Sequence, residues 1–493
     1  MSLHQLISAG NLSALPANVA RPTYDRSTLG TGIVHLGVGS FHRAHQAVYT
    51  DDVLAGGDRR WGIIGASLLS PDTRNALKAQ DYLYTLNLRA EIETLRVIGS
   101  LQDIFVAPEN PASLIETLCR PSVAIISLTV TEKGYHYDPA TGALNEDDPD
   151  IRHDLAHPDA PRTALGFLAA AIARRRELGV SPFTVLSCDN LAANGRTLHG
   201  LLSHYAQLFS PDLGSFVRNE ILCPDTMVDR IVPATTDDDR QRLSNSLGLD
   251  DLWPVVAEPF TQWVIEDRFS GGRPAWDEAG ATFVRDVSPF ESMKLRILNG
   301  SHSALAYLGY LAGYETVADA MGDAALAGFA DGLMTDAMPT LELPSSIDVN
   351  AYKTSLLTRF RNKALRHRTW QIAMDGSQKL PQRILGPIRD RLAKGLPIER
   401  HALVVAAWMR YVTGIDERGQ PIDVRDPLLK SLRDVLQSAG RDVPRIVEAL
   451  LRLKTIFGDD LSADQRFRQA VSDALTSIYS VGSRQTIELL ARS

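Results

Sequence analysis

The segment from Gly32 to Pro289 alternates short β-branched, apolar runs with stretches of helical periodicity. The four clearest runs are GIVHLGVG, WGIIGASL, VAIISLTVT and FTVLSCDN. Such alternation predicts parallel strands joined by helices that cover the sheet. Between the second and third runs, LYTLNL and TLRVIGS are short and close enough to form an added hairpin. We therefore expect an α/β domain with a mainly parallel sheet over residues 1–288.

After Pro289 the pattern becomes helical, as in MKLRILNGSHSALAYLGYLAGY and HALVVAAWMRYV. A chain of 493 residues is too long for one ordinary core, so a second domain is expected. We predict that residues 289–493 form this domain and that it is mostly α-helical. Because active sites favour domain junctions, residues 290–302 are expected to complete a site that the sheet begins.

The composition excludes several classes of protein. Apolar residues make up 44% and charged residues 22% of the chain, as in a globular protein, and the formal charge of -8 offers no basic face to nucleic acid. Cys119, Cys188 and Cys223 are scattered and form no disulfide framework or CxxC zinc motif. The amino terminus MSLHQLISAG lacks the pattern of a secretion signal, and no run of about 18 apolar residues occurs. We expect a cytoplasmic protein that binds neither nucleic acid nor membrane.

A glycine turn follows the first predicted strand. Gly37 and Gly39 precede Phe41, His42 and Arg43, and the next helix begins in this segment. Glycine lets the backbone turn sharply and approach a pyrophosphate, and a helix amino terminus offers unpaired N–H groups. His42 stands where the third glycine of GxGxxG is usual, so the alternative is a tight strand-to-helix turn without a ligand. We predict that these five residues bind a dinucleotide.

An acidic residue after the second strand would accept hydrogen bonds from the adenosine ribose and disfavour a 2′-phosphate. Asp72 follows WGIIGASLLSP but lies 35 residues beyond Gly37, whereas about 20 is usual. The alternative is a surface turn aspartate. If Asp72 contacts the ribose, NAD is preferred over NADP.

Polar residues interrupt two apolar segments. Asn190 ends SCDN, at the carboxyl edge of the predicted sheet, where ligands usually bind. Lys294, Asn299 and His302 fall on one predicted helix. Around the axis of an α-helix, Asn299 and His302 lie roughly 60° apart. Lys294 and Asn299 lie about 140° apart and would contact a substrate from two sides. The alternative is a solvated face with a satisfied histidine.

These residue types suit the oxidation of an alcohol. Loss of a hydride requires the hydroxyl to lose its proton, and Lys294 can accept it if burial lowers the lysine pKa. Asn190 and Asn299 would donate hydrogen bonds to the developing alkoxide, and His302 would hold the substrate oxygen or the lysine. His42 and His45 are three apart, but no nearby cysteine or carboxylate completes a zinc set, so no catalytic metal is expected.

Other charged residues allow two interpretations. Glu132 and Glu291 are either surface carboxylates or relays that pass the proton to solvent. Arg366, His367, Arg368 and Trp370 precede Gln371 and a segment, DGSQKLPQR, that contains Lys379. This stretch is either a solvated helix end or a pocket wall whose cations pair with a substrate carboxylate.

At these residues the chain resembles the long-chain mannitol dehydrogenase family, also called polyol-specific long-chain dehydrogenases. The matching segments occur in the family's order along nearly the whole chain: GVGSFHRAHQ, SLTVTEKGY, FTVLSCDN, MVDRIVP, EPFTQWVIED, MKLRILNGSH and DGSQKLP. The resemblance implies an amino-terminal Rossmann domain that binds NAD, a helical carboxyl-terminal domain and a site in the cleft between them.

The resemblance also implies roles for single residues. The family's K-x4-N-x2-H pattern falls on Lys294, Asn299 and His302, with Lys294 as general acid and base. It makes Asn190 a substrate ligand, Glu291 the proton relay and Asp72 the residue that selects NAD. It further implies a cofactor contact at Thr131 and substrate contacts at Asp229, Arg368, Gln371 and Lys379.

Within the family, LRHRTWQIAMDGSQKLPQR and VTEKGY are most similar to fructuronate reductases, which are D-mannonate oxidoreductases. Mannitol 2-dehydrogenases generally carry an arginine where Gln371 stands. The resemblance therefore implies reversible hydride transfer at C5 of D-mannonate, with its carboxylate near Arg366, Arg368 and Lys379. The alternatives are a mannitol/fructose or pentitol pair, and an NAD-sensing protein without turnover. The resemblance permits a monomer or a weak homo-oligomer, and the sequence shows no heptad seam.

Overall fold

The chain divides into two compact units, Met1–Ser288 and Pro289–Ser493. This computed structural model describes residues 5–138, 141–345, 347–437, 439–440 and 442–492. The first unit mixes strands and helices, and the second is helical. Within the described ranges, none of the helices has both the length and the apolar character that a bilayer crossing requires.

The centre of the first unit is a parallel sheet. The strands of this unit are β1 (Thr31–Leu36), β2 (Gly62–Ser67), β3 (Tyr84–Leu88), β4 (Thr94–Ile98), β5 (Leu101–Val106), β6 (Ile125–Leu128), β7 (Thr184–Ser187), β8 (Thr226–Asp229), β9 (Val255–Ala257), β10 (Gln262–Glu266) and β11 (Thr282–Val284). The central sheet has the order β5-β2-β1-β6-β7, and all its pairings are parallel. The four predicted runs form β1, β2, β6 and β7, so the predicted α/β fold is confirmed.

The direction of the strand order reverses at β1. From β1 the chain builds outward through β2 to β5, and then crosses to the other side of β1 to form β6 and β7. Ile33 of β1 lies opposite both Ile63 of β2 and Ile125 of β6. In open α/β sheets, ligands bind outside the carboxyl ends of the strands at such a reversal. The segments that follow β1 and β6 are therefore the expected ligand edge.

Both faces of the central sheet are buried. Val34, Leu36 and Ile126 belong to one apolar cluster, whereas Ile33 and Ile125 belong to a cluster on the opposite face. Because side chains alternate along a strand, a run that is apolar at every position must be covered on both sides. This explains why β1, β2, β6 and β7 are mainly apolar and are buried at nearly every position.

The predicted hairpin is also confirmed. β3 and β4 pair antiparallel, and β9 adds to β3 in a second sheet of order β4-β3-β9. A third sheet has the order β11-β10-β8. The sequence analysis did not identify β5 or β8–β11, since these strands are short or follow the hairpin directly.

Helices connect the strands of the first unit. They are α1 (Ser40–Ala44), α2 (Gln46–Ala55), α3 (Asp72–Lys78), α4 (Pro111–Leu118), α5 (Pro149–Ala156), α6 (Ala164–Leu178), α7 (Asn194–Phe209), α8 (Pro211–Glu220) and α9 (Asp237–Leu247). In α6, the Thr163 side chain accepts a hydrogen bond from Gly166 N, and Gly179 ends the helix with a φ of 66°. The sequence thus encodes both ends of this covering helix.

The second unit is built from helices. They are α10 (Ser288–Met293), which begins at the last residue of the first unit, α11 (Gly300–Leu311), α12 (Val317–Gly322), α13 (Ala324–Ala337), α14 (Val349–Phe360), α15 (Thr369–Ala373), α16 (Gly376–Leu380), α17 (Gly386–Ala393), α18 (Glu399–Val412), α19 (Leu429–Gln437), α20 (Val443–Leu451), α21 (Lys454–Ala463), α22 (Gln465–Val481) and α23 (Ser483–Leu490). The helical prediction for this region is confirmed.

Two helices form the centre of this unit. All residues of α18 from His401 to Val412 are buried, and α11 is buried except at Tyr310. A helix that is apolar on every side must lie inside the protein. The central position of α11 matters for function because it carries His302 and directly follows Asn299.

Candidate functional site

The glycine turn after β1 packs against the end of β6. Gly37 has a φ of 92°, and a Cβ there would lie 2.2 Å from the backbone oxygen of Thr129. Thr129 Oγ1 donates a hydrogen bond of 2.7 Å to Gly37 O. A Cβ at Gly39 would meet only Gly37 O, at 3.9 Å, and α1 begins at the next residue. Gly37 is thus required by the fold, whereas Gly39 leaves room for a ligand to approach the backbone.

Two histidines lie beneath this turn. The His35 and His42 rings stack with centroids 3.5 Å apart. His35 lies 2.8 Å from the hydroxyls of both Ser127 and Thr129. Burial lowers the pKa of His35 to about 3 and that of His42 well below its ordinary value. Because the His42 ring is buried, a pyrophosphate contact of His42 would have to go through its backbone N–H.

Phe41 and Arg43 also pack within the first unit. Arg43 is buried, donates to Trp253 O, and its guanidinium lies 5.2 Å from the centroid of the Tyr84 ring. Phe41 is half-buried and stacks on His45 at 5.0 Å. The Arg43 contacts stabilise the base of the turn, so its charge is directed into the unit and not toward the open side of Gly39.

Asp189, a residue that the sequence analysis passed over, joins the ends of β6 and β7. Its carboxylate accepts hydrogen bonds from Val130 N at 3.0 Å, Thr131 N at 2.9 Å and Tyr135 Oη at 2.8 Å. Thr131 has a φ of 64°, which is strained for a residue other than glycine. Burial raises the pKa of Asp189. The aspartate therefore holds the Thr131 segment in a shape that the backbone alone would not favour.

Other predicted residues of the first unit lie at strand ends. Asn190 is exposed directly after Asp189, and Thr131 and Glu132 are exposed after β6. Asp229 is buried, ends β8 and pairs in register with Gln262. The Thr131 and Asn190 positions thus share the carboxyl edge of the central sheet with the glycine turn.

Asp72 lies five residues beyond the end of β2, where α3 begins. Its carboxylate accepts a hydrogen bond of 2.6 Å from the Ser70 hydroxyl. The strand itself ends at Ser67, so no carboxylate stands at the last position of β2. Asp72 is exposed and belongs to the same edge of the sheet as the glycine turn.

In the second unit, the segment Lys294–Asn299 is a π-helix that continues into α11. The expected angle of about 140° between Lys294 and Asn299 assumed an α-helix and is wrong. In a π-helix residue i bonds to residue i+5, which brings Asn299 over Lys294 on nearly one face. Such π-turns occur frequently at functional sites. The two side chains therefore lie on nearly the same side of the helix.

The three residues of this segment are buried: Lys294 is 8%, Asn299 6% and His302 5% exposed. Within the described residues, neither Asn299 Nδ2 nor His302 Nε2 has a hydrogen-bond partner. A buried polar atom without a partner costs about 1–3 kcal/mol. Both atoms are thus available to a ligand that supplies the missing bonds, and the solvated-face alternative is wrong.

Aromatic and cationic side chains surround His302. Its ring centroid lies 4.4 Å from that of Phe360 and 5.3 Å from that of His367. Burial holds the pKa of His302 well below its ordinary value, and the charges of Arg359, Arg383 and Lys294 lower it further. The ring is therefore neutral near pH 7, in a setting that favours an anion.

The residues of the predicted basic segment differ in how far they are buried. Arg366, Arg368 and Gln371 are exposed, and Arg368 Nε lies 3.7 Å from Glu315. His367 is half-buried, and burial lowers its pKa to about 4. Lys379 Nζ donates to Met374 O at 2.6 Å. Of this stretch, His367 is the residue whose ring contacts His302.

Arg359 and Arg383 were not among the predicted site residues. Arg359 lies on α14 next to Phe360 and is buried. Arg383 Nη1 donates a hydrogen bond of 3.3 Å to Ser303 Oγ, beside His302. Arg383 ends the DGSQKLPQR segment, so that motif was the signal that could have identified it.

Metal ligands and thiols are sparse. In the part of the chain that the structure describes, no three His, Cys, Asp or Glu side chains lie together in a way that could hold a metal ion. Cys119, Cys188 and Cys223 are free and buried.

Two family models together match most of the chain. A model described as the mannitol dehydrogenase Rossmann domain matches residues 31–278, and one described as the mannitol dehydrogenase C-terminal domain matches residues 286–479.

Curated relatives and a solved structure match over nearly their full length. A D-mannonate oxidoreductase of Escherichia coli is 48% identical over 480 residues, which cover 96% of this chain and 98% of the relative. An uncharacterized oxidoreductase of the same organism is also 48% identical, over 96% of this chain and 97% of its own. The ternary complex of Pseudomonas fluorescens mannitol 2-dehydrogenase with NAD and D-mannitol is 39% identical. It has a TM-score of 0.89 and covers 99% of this chain and 100% of that one.

Proposed function

This chain belongs to the mannitol dehydrogenase family, and on that premise we propose that it is an NAD-dependent oxidoreductase acting on a secondary hydroxyl of a sugar acid, D-mannonate/D-fructuronate. The first unit, residues 1–288, would bind the cofactor. The second unit, residues 289–493, would supply the groups that move the proton.

One observation carries the proposal. Lys294, Asn299 and His302 are buried on one helical stretch, and Asn299 and His302 each present a polar atom that has no hydrogen-bond partner among the described residues. A purely structural role gives no reason to bury such a set, because its cost of about 1–3 kcal/mol for each unpartnered atom would go uncompensated. A sugar hydroxyl supplies both a donor and an acceptor to such a set.

In the proposed mechanism Lys294 accepts the proton of the hydroxyl that is oxidised. The neutral amine is the form that accepts a proton. Asn299 Nδ2 donates to the oxygen as negative charge develops, and this donor is fixed before the reaction begins. Neutral His302 holds the same oxygen or the lysine through Nε2. Glu291, three positions before Lys294, passes the proton to solvent.

The carboxyl edge of the central sheet fits NAD. Gly39 and the start of α1 would receive the pyrophosphate, and Thr131 lies at the strand reversal next to them. Asp72 would accept hydrogen bonds from the adenosine ribose. When bound, NAD accepts or supplies the hydride. Asn190 and Asp229 stay predicted substrate ligands from the first unit, and no metal takes part in the proposed mechanism.

A sugar acid is favoured over a polyol for two reasons. Gln371 stands where mannitol 2-dehydrogenases generally carry an arginine, and the charges that act on His302 are positive, as a carboxylate requires. Sequence identity alone does not indicate the substrate, because the D-mannonate oxidoreductase and the uncharacterized oxidoreductase are both 48% identical to this chain. The mannitol/fructose pair is the second candidate, favoured by the likeness to the D-mannitol complex.

The test compares D-mannonate and D-mannitol as substrates, with NAD and NADP, by the appearance of reduced cofactor. We expect NAD-dependent turnover with a clear preference for mannonate. A preference for mannitol would overturn the choice of substrate, and cofactor binding without turnover of any aldonate or polyol would favour the NAD-sensing alternative.

The role of Lys294 is tested by Lys294→Met. We expect a loss of about 10²–10⁴-fold in kcat with NADH affinity retained, because a positioned base contributes a factor of this size. Lys430→Met, at a side chain that is 90% exposed, is the matched control. Unchanged turnover in Lys294→Met would remove the lysine from the mechanism.

A further inference from the structure

We infer that His367 is a further substrate-binding residue of this site, which bonds through Nδ1 to a hydroxyl on a carbon next to the one that is oxidised. The inference rests on the proposed oxidation of a secondary hydroxyl. It applies to a sugar acid and to a polyol, because both carry hydroxyls on neighbouring carbons.

The backbone that carries the His367 ring is fixed by the segment that follows α11. Val317 N donates a hydrogen bond of 2.9 Å to His367 O, and Thr369 N donates one of 3.0 Å to Glu315 O. Thr369 Oγ1 donates a further bond of 2.9 Å to Tyr314 O. The ring is therefore held on a fixed backbone, as a residue that orients a substrate requires.

His302 connects His367 to the residues that are proposed to move the proton. The centroids of the two rings lie 5.3 Å apart, with their planes at 86°. His302 follows Asn299 by three residues, about one helical turn. His302 is 5% exposed, whereas His367 is half-buried and thus closer to solvent. A substrate whose reacting oxygen meets His302 would therefore bring a neighbouring hydroxyl to His367.

The Nδ1 atom of His367 is buried and has no hydrogen-bond partner among the described residues. Burial of a polar atom without a partner is unfavourable, and an apolar ring would fill the position without that loss. Phe360, whose ring centroid lies 4.4 Å from that of His302, is such a ring in the same cluster. Packing alone thus gives no reason for a histidine at position 367, whereas a ligand that bonds to Nδ1 does.

The charge of His367 indicates the chemical group that it binds. Burial, and then the positive charge of Lys379, lower the pKa of His367 to about 4. The ring is therefore neutral near pH 7, with one nitrogen as donor and the other as acceptor. A hydroxyl is also both donor and acceptor, whereas a carboxylate only accepts and is bound best by a cation. His367 thus suits a hydroxyl, although the sequence grouped it with the cations of a carboxylate site.

The experiment measures kcat/KM with NAD for D-mannonate and for its 2-deoxy, 4-deoxy and 6-deoxy analogues, in the full-length protein. The 4-deoxy and 6-deoxy analogues each lack a hydroxyl next to C5, and the 2-deoxy analogue keeps both. We expect His367→Phe to lower kcat/KM for mannonate and for the 2-deoxy analogue by about 5- to 10-fold. The value for one of the other two analogues should stay nearly unchanged, because the bonded hydroxyl is already missing from it.

Two further substitutions identify the atom, and a third is the structural control. His367→Asn places its amide near the position of Nδ1 and should keep much of the activity, whereas the amide of His367→Gln reaches the position of Nε2 and should not. Phe360→Leu removes the other ring that packs on His302. It should lower kcat/KM by the same factor for all four substrates.

The outcomes separate the inference from the proposed function. If His367→Phe lowers kcat/KM equally for all four substrates, as Phe360→Leu should, or leaves it unchanged for mannonate, the inference is overturned alone. If the unmodified protein oxidises D-mannitol and not D-mannonate, the choice of substrate fails, and the same comparison with 1-deoxy- and 3-deoxy-D-mannitol decides the inference. If it oxidises neither, the proposed function fails and the inference fails with it.

Discussion

Replacing Asp189 by asparagine tests how the cofactor edge of the sheet is held. The Asp189 carboxylate accepts from Val130 N and Tyr135 Oη through one oxygen and from Thr131 N through the other. The asparagine side chain has one oxygen of this kind, and its NH₂ group is a donor. Whichever way the amide turns, its NH₂ group faces a backbone N–H, and that N–H loses its acceptor.

The structure sets the size of the effect. The N–H groups of Val130 and Thr131 are only partly buried, so one left without a partner costs toward the low end of about 1–3 kcal/mol, and the remaining bonds weaken because they no longer involve a charge. Thr131 has a φ of 64°, a strain that costs about 1–3 kcal/mol in the folded protein, so its release would offset part of this loss. We therefore expect Asp189→Asn to lower the free energy of unfolding by about 2 kcal/mol and to release Thr131 from its strained conformation.

The assay is urea unfolding together with the dissociation constant for NADH. Asp189→Asn should weaken NADH binding by at least tenfold, since Thr131 lies at the edge where the cofactor is expected. Tyr135→Phe is the matched control, because it removes only the hydroxyl donor and leaves both N–H groups paired. It should cost about 1 kcal/mol of stability and leave NADH binding unchanged.

Two results would refute this reasoning. If Asp189→Asn binds NADH as tightly as the unmodified protein, the Thr131 segment does not depend on the carboxylate. If Tyr135→Phe weakens NADH binding as much as Asp189→Asn, the effect comes from general loosening of the β6 and β7 ends.

Two further predictions concern the glycine turn and acid stability. Gly37→Ala should lower the free energy of unfolding by more than Gly57→Ala, measured in urea. Both glycines have positive φ, at 92° for Gly37 and 114° for Gly57. A Cβ at Gly37 would lie 2.2 Å from Thr129 O, whereas a Cβ at Gly57 would meet nothing within 4 Å. Equal losses of stability in the two variants would contradict the explanation by a steric clash at Gly37. Burial lowers the pKa of His401 to about 3, so the folded protein binds fewer protons than the unfolded chain between pH 6.5 and 3. Stability is therefore lost as pH falls through that window, by about 1.4 kcal/mol per pH unit from this residue. His401→Gln should make the decline shallower below pH 6.5 in urea unfolding at several pH values, whereas exposed His157→Gln should not; parallel curves for all three proteins would contradict the assignment.

Local pattern predicted most of the fold. The runs that became β1, β2, β6 and β7 are rich in consecutive apolar residues because both faces of the sheet are buried. The hairpin was predicted because its two strands are close together along the chain. The strands β8–β11 were missed because they are short, at 4, 3, 5 and 3 residues.

The sequence predicted which residues of the second unit form the candidate site, but not the angles between their side chains. The order of Lys294, Asn299 and His302 placed them on one helix, but a period of 3.6 residues gave the wrong angle between the first two. Sequence periodicity does not report a π-turn, because the extra residue in the turn is accommodated by packing against other helices. In this protein the neighbouring π-turn at Pro381–Leu385 packs against it.

The sequence by itself determined which elements form, where the glycine turn lies and which polar residues interrupt apolar helices, because these depend on neighbours along the chain. Only the tertiary structure decided that Asp189 joins two strand ends, that Arg383 bonds to Ser303 beside His302 and that Arg366 is exposed. Burial is the physical reason. It depends on what packs over a residue from elsewhere in the chain, and it sets both the cost of an unpaired polar atom and the strength of a charge.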